Sequence, residues 1–222
     1  MEKVEKEFSL DLWGTLIAPA PAFATARLQL LVDVCGCREA AARAALKSVK
    51  AHYDGLAVQY GVSTPAAQIF QRLAAELGYN GPCKMLMADY YELFQIHAPL
   101  LLDHDLPALL ATWAARYRLH LISNTLLVPG AVLVTTLNAA YSNFLRVFDS
   151  LTFSDEVGYS KPHRRIFAHA YAQMQTPKEA VTHIGNDPQT DFYGAQQFGW
   201  QAVLVDYSQG RGLRQIWDAL AL

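Results

Sequence analysis

Phe8-Ser9-Leu10-Asp11-Leu12, running on into Trp13-Gly14-Thr15-Leu16, reads as a short buried strand that carries an acid to its carboxyl end and then turns at a glycine. The run is too brief for a helix and ends at a turn residue, as a strand covered on both faces does. Four more runs of this kind follow at Leu119–Ser123, Leu151–Ser154, Val181–Gly185 and Ala202–Val205. Helix-like segments separate them. Leu106, Leu109, Leu110, Trp113 and Tyr117 recur at helical spacing just before the second run.

This alternation predicts an α/β fold, a doubly wound, Rossmann-like parallel sheet with helices on both faces. Between the first strand and the Leu106 helix there is no strand signal. Residues 22–34, 39–59 and about 83–97 read as helices. Another begins at Ser63 or Thr64 with Pro65 in its first turn and stops at Gly78. The pattern implies a helical bundle inserted over the sheet. The expected division is an α/β core of residues 1–16 and 101–222, with a helical cap of residues 17–100. Ala18-Pro19-Ala20-Pro21 reads as the hinge into the insert, with Pro99 near the return.

Composition narrows the partners. The 222 residues are 52% hydrophobic and 17% charged with a formal net charge of −2, so apolar material for a core is ample. No basic stripe is available to neutralise phosphates, which argues against nucleic acid. Met1-Glu2-Lys3-Val4-Glu5-Lys6-Glu7 is charged where a secretory leader is apolar. The apolar stretch from Leu126 to Val134 is far too short to cross a bilayer. Cys35-Gly36-Cys37 lacks the second ligand pair of a zinc site, and reduced cysteines in a cytoplasmic protein are expected. Assembly of identical chains is compatible with the sequence, which does not fix it.

In doubly wound sheets ligands bind beyond the carboxyl ends of the strands. Asp11 ends the first strand and Ser123-Asn124-Thr125 the second. Lys161-Pro162 follows the third, and the fourth runs into Gly185-Asn186-Asp187-Pro188-Gln189-Thr190-Asp191. Each residue alone has a bland reading. Asp11 and Ser123 could cap helices, Lys161 could be solvated, and Asp187-Pro188 is a common turn with Asp191 early in a helix. Their order, each at a strand end, points instead to one catalytic rim.

These four segments resemble the four motifs of haloacid dehalogenase-like hydrolases, and the resemblance spans essentially the whole chain. Phe153–Pro162 and Gly185–Ala195 are especially similar, and the inserted helices match the cap of one large branch. The resemblance implies that Asp11 is a nucleophile forming a covalent aspartyl intermediate. It implies that Ser123 donates to a substrate oxygen, with Thr15 and Asn124 also binding substrate. Lys161 would keep Asp11 ionised and offset charge on the transferring group. Mg²⁺ would be held by Asp11, the backbone carbonyl of Trp13 and a set drawn from Asn186, Asp187 and Asp191. The implied substrate is a small phosphorylated molecule.

Trp13 departs from the pattern. Phosphatases of this family usually carry there a second Asp that protonates the leaving alkoxide. Losing such help typically costs about 10²–10⁴-fold. Three readings remain open: a phosphatase-like enzyme for good leaving groups, a 2-haloacid dehalogenase or phosphonatase-like hydrolase, and a non-catalytic phosphate-binding protein. Retained Asp187 and Asp191, with Phe167 where dehalogenases usually have Tyr, favour the first. Arg43, Lys47 and Lys50 read as a solvated helix face or a substrate clamp. His163-Arg164-Arg165 reads as ordinary surface and His183 as a hydrogen-bonded core residue. Tyr90-Tyr91 could face the cleft or pack the bundle.

Overall fold

The computed structural model describes residues 6–220. Residues 1–5 of the charged N-terminal stretch, and the last two residues of the expected α/β core, lie outside it.

The first strand, β1 (Glu7–Leu10), begins one residue before the expected run and ends two before its limit. Glu7 belongs to it because its carboxylate is buried with partners: it accepts from Gln175 N at 2.8 Å and meets His120 Nε2 at 2.8 Å. After a tight loop comes a two-residue strand, β2 (Ile17–Ala18), then four helices: α1 (Pro21–Cys35), α2 (Glu39–Tyr60), α3 (Ala66–Glu76) and α4 (Cys83–Ile96). Pro21 opens α1 where its missing N–H costs nothing, and Gly36 closes it in the left-handed region. Pro65 precedes α3 as its N-cap residue instead of lying in its first turn, so the helix starts later than the spacing suggests.

The chain returns through β3 (Leu100–Leu101), which pairs antiparallel with β2. The rest alternates: α5 (Leu106–Ala114), β4 (Arg118–Ser123), α6 (Gly130–Ala140), β5 (Ser150–Phe153), α7 (Ser154–Val157), α8 (Arg164–Tyr171), β6 (Val181–Gly185), α9 (Gly194–Phe198), β7 (Gln201–Leu204) and α10 (Leu213–Leu220). A π-helical turn, Pro188–Tyr193, leads into α9.

The main sheet has five parallel strands in the order β5-β4-β1-β6-β7. Alternation divides its side chains. Phe8, Leu10, Leu119, Leu121 and Ile184 join the larger apolar cluster, which includes α5, α6, α10 and residues of α1–α4. Ile122 and Val181 face a smaller cluster with Ile166, Phe167, Ala195 and Trp200 from the α8–α9 side. Burying such a set of side chains, at about 1.5–3 kcal/mol each, is what holds the layers together. The order reverses between β1 and β6, which opens a crevice at their carboxyl ends.

Candidate active site

Asp11 stands at that reversal. Its backbone N–H still donates to Ile184 O at 2.8 Å, but its register with β4 has ended at Leu10. The loop then folds back on itself: the amides of Leu16 and Ile17 both donate to Leu12 O, and Gly14 N donates to Ile17 O. Gly14 has φ +78°, and a Cβ there would lie 2.5 Å from the Asn186 side chain. Only glycine meets both demands. Tyr207 braces the loop by donating its hydroxyl to Thr15 O at 3.0 Å.

Below this loop three ionisable groups meet out of solvent. Asp11, Lys161 and Asp191 are 6%, 1% and 2% exposed. Lys161 Nζ donates to Asp11 Oδ1 at 2.7 Å, Asp191 Oδ1 at 2.6 Å and Ile122 O at 2.9 Å. All three of its protons are thus engaged. Asp191 Oδ2 accepts from Asp187 N at 2.9 Å, and His183 Nε2 lies 3.4 Å from its other oxygen. Gly185 makes room, since a Cβ there would fall 2.3 Å from Asp191 Cγ.

Two carboxylates share one ammonium, and the imbalance falls on Asp11. Burial raises its pKa to about 6 against the pull of Lys161, and Asp191 adds repulsion. At neutral pH it remains mainly a carboxylate. Burial acts on Asp191 too, but Lys161 and His183 hold it well below the usual carboxylate range. The two acids outweigh burial at Lys161, which stays charged.

The other expected site residues divide. Thr15 is fully buried and donates to Asp11 Oδ2 at 3.0 Å, with Asn186 Oδ1 at 3.4 Å. Ser123 is buried, its hydroxyl directed to Asn124 O at 3.3 Å. Asn124 has its amide occupied at both ends by the backbone of Lys161, donating to the carbonyl at 3.0 Å and accepting from the N–H at 2.8 Å. Asp187 turns outward and accepts from Gln189 N and Thr190 N, capping the π-helical turn. His183 is the hydrogen-bonded core residue expected, with Nδ1 2.9 Å from Ser9 Oγ. His163 accepts from Arg165 N at the start of α8.

For a divalent cation the available donors are few. Among the described residues no three His, Cys, Asp or Glu side chains come together as a metal site. Asp191 is spent on Lys161 and Asp187 on its cap. Asp11 and Asn186 remain, both in contact with the Thr15 hydroxyl, together with the Trp13 carbonyl of the same loop. One carboxylate, one amide oxygen and a carbonyl suit a Mg²⁺ that keeps several waters.

Above the loop lies a cavity of about 760 Å³ whose walls are mainly apolar. Trp13, Gly14, Asn124 and Asn186 form its floor, and α1, α2 and α4 supply Phe23, Leu28, Leu46, Tyr90 and Phe94. Trp13 and Phe94 have ring centroids 6.4 Å apart. Arg43, Lys47 and Lys50 line the cavity. Tyr90 both faces it and packs edge-on against Phe23 and Phe70, whereas Tyr91 does not line it. Arg27 is a lining residue that the sequence reading passed over. Its signal was present, since it lies one turn from Phe23 and beside Leu28, two of the buried residues of α1.

Residues 158–212 match the family model described as HAD (haloacid dehalogenase)-hydrolase-like. The glyceraldehyde 3-phosphate phosphatase of Methanothermobacter thermautotrophicus is 34% identical over 90 residues, covering 40% of this chain and 38% of that protein. This chain therefore aligns with well under half of that relative's length. The fold is shared with Bacillus subtilis YfnB, described as a HAD-hydrolase and solved with magnesium bound (TM-score 0.73, 19% identity, 98% and 99% of the two chains). It is shared equally with a 2-haloacid dehalogenase of Pseudomonas syringae pv. Tomato (TM-score 0.70, 21% identity, 97% and 98%).

Proposed function

Starting from a chain with the haloacid dehalogenase-like fold and a family match over residues 158–212, we propose a hydrolase that works through covalent modification of Asp11. The observation that carries this reading is the buried contact of Asp11 with Lys161 at 2.7 Å, at the base of a loop whose Trp13 and Gly14 line a cavity large enough for a small molecule. A carboxylate held ionised, almost excluded from water and placed at the sheet's reversal point is equipped to attack rather than to cap.

The favoured reaction is hydrolysis of a small phosphorylated substrate. An Asp11 oxygen attacks phosphorus, and the bond to the leaving oxygen breaks with its electron pair. Water then attacks the phosphorus of the acyl phosphate, gives its proton to solvent and returns Asp11 and inorganic phosphate. Lys161 orients Asp11 and keeps it charged, with Asp191 and His183 holding Lys161 in place. Thr15 fixes the second Asp11 oxygen. Bound Mg²⁺, held by Asp11, Asn186 and the Trp13 carbonyl, would offset charge on the transferring group. No acid stands at position 13 to protonate an alkoxide, so good leaving groups are preferred.

Carbon–halogen hydrolysis is the second reading. Asp187, whose retention favoured a phosphatase, is occupied as a cap, and Asn186 adds no charge to a metal set. Halide leaves carbon without a proton, which suits Trp13.

The test is release of phosphate, with and without Mg²⁺, from acetyl phosphate, p-nitrophenyl phosphate and sugar phosphates, alongside halide release from a 2-haloacid. The expected result is phosphate release that is strongest for the best leaving groups and absent in Asp11→Asn. Halide release alone, also lost in Asp11→Asn, would replace the first reading with the second. Neither product from any substrate would remove both.

A further inference from the structure

The cavity over the Trp13–Gly14 loop carries a polar group that the proposed hydrolysis leaves unused. Arg27 on α1 lines it, with its guanidinium carbon 5.6 Å from the centre of the Phe23 ring. Its Nε is buried and finds no hydrogen-bond partner among the described residues. The buried hydroxyl of Tyr90 is hydrogen-bonded to the Arg27 side chain, so Nε is the donor left unmatched, and Leu28 and Phe94 also line the cavity. The acids near the cavity are already committed: Asp54 pairs with Lys50, and Glu39 pairs with Arg43. No ion pair with a described residue involves Arg27.

A guanidinium in largely apolar surroundings with an unmatched donor is costly, and that cost is relieved when an anion arrives. The planar fork recognises carboxylate or phosphate through two parallel bonds. Of the other lining cations Arg43 and Lys50 are paired with acids and Lys47 lies on α2, so the Arg27 fork beside Phe23 and Leu28 acts as one cation on an apolar wall, which suits a monoanion better than a dianion, whose desolvation is dearer. We propose that Arg27 anchors a carboxylate at the far end of an elongated substrate whose apolar body fills the cavity and whose reacting group lies over Asp11. The substrate class is thus an amphiphilic acid rather than a compact sugar phosphate. Only the orientation of the two ends rests on Asp11 being the nucleophile.

Binding can be measured without turnover. Calorimetric titration of the protein with 3-phenylpropanoate and with its uncharged amide should show the acid binding at least tenfold more tightly. Arg27→Gln should erase that preference, and Arg27→Lys should keep part of it. Equal binding of acid and amide, binding of neither, or a preference that survives in Arg27→Gln overturns the anchor. If Arg27→Gln does not fold, the wild-type comparison and Arg27→Lys still decide. A second arm compares phenyl phosphate with 4-(2-carboxyethyl)phenyl phosphate, for which Arg27→Gln should raise KM at least tenfold with kcat nearly unchanged. Absence of all phosphate release with the acid–amide preference intact supports the anchor and removes only the phosphate-hydrolysis reading.

Discussion

At the scale of single residues, Trp13 decides what this site can do with a leaving group. Its indole forms part of the cavity floor near Phe94, so the position that would hold an acid instead adds apolar surface. Trp13→Asp should raise kcat/KM for alkyl phosphates by about 10²-fold or more, the lower end of what general acid help contributes. Acetyl phosphate, which needs little protonation, should gain far less. Parallel kinetics on the two substrates check this, and an equal change for both would show that Trp13 acts through packing and not through the missing proton. Asp187 and Asp191 show how far single residues can be read from sequence. Spacing placed both acids beyond β6, but which one turns inward depends on the room left by Gly185 and on Lys161, thirty residues away in the chain. Arg27 was hidden for a similar reason, because a lining residue is defined by what stands opposite it.

Among elements, the carboxyl ends of β4 and β5 are held together by side chains that clamp backbone. Asn124 grips both polar groups of the Lys161 peptide, and Asp155 accepts from Gly130 N at 3.1 Å and from the Thr125 hydroxyl at 2.7 Å at the start of α6. Lys161 can reach Asp11 only because its backbone is fixed in this way. Asn124→Ala leaves one part-buried donor and one acceptor unmatched, and should cost about 1–3 kcal/mol of stability. It should also lower turnover by letting Nζ drift from Asp11. Asn124→Asp keeps the acceptor for Lys161 N and should lose less. Urea unfolding of the two variants, with activity measured on the same samples, tests the ranking. The strands themselves were legible because each is a brief apolar run between turn residues. Several of their ends differ by one or two residues, and at two of them a buried polar group has a partner across the sheet: Glu7 in β1 and Ser150 in β5 both meet His120. The clamp was not legible, since nothing in Ser123-Asn124-Thr125 says whether an amide faces a ligand or a neighbouring peptide.

For the whole molecule, acid sensitivity follows from a polar group buried in the sheet. His120 is 1% exposed, between Ser150 Oγ at 2.7 Å and the Glu7 carboxylate at 2.8 Å, with Asp149 and Arg118 also acting on it. Burial lowers its pKa below the ordinary 6.5, opposed in part by Glu7. The unfolded chain therefore takes up this proton at a higher pH than the folded one. Stability is complete above 6.5 and is lost as the pH falls from there towards the lowered value. For one proton the slope is at most about 1.4 kcal/mol per pH unit. Thermal unfolding between pH 7.5 and 5 should show this decline, and His120→Gln should flatten it. An unchanged slope in the variant would assign the effect to other groups.

The four helices over the sheet are tied to it at more than the β2–β3 ribbon. Ser63 N donates to Gly158 O, Ser160 N donates to Gly61 O, and the hydroxyls of Ser63 and Ser154 meet at 3.1 Å. The ribbon lies at the covalent crossing, and this second seam lies where the turn after α2 meets the loop after α7. Any parting of the helices from the sheet must therefore break a short backbone seam as well as bend the ribbon, so the two are joined as by a hinge with a latch.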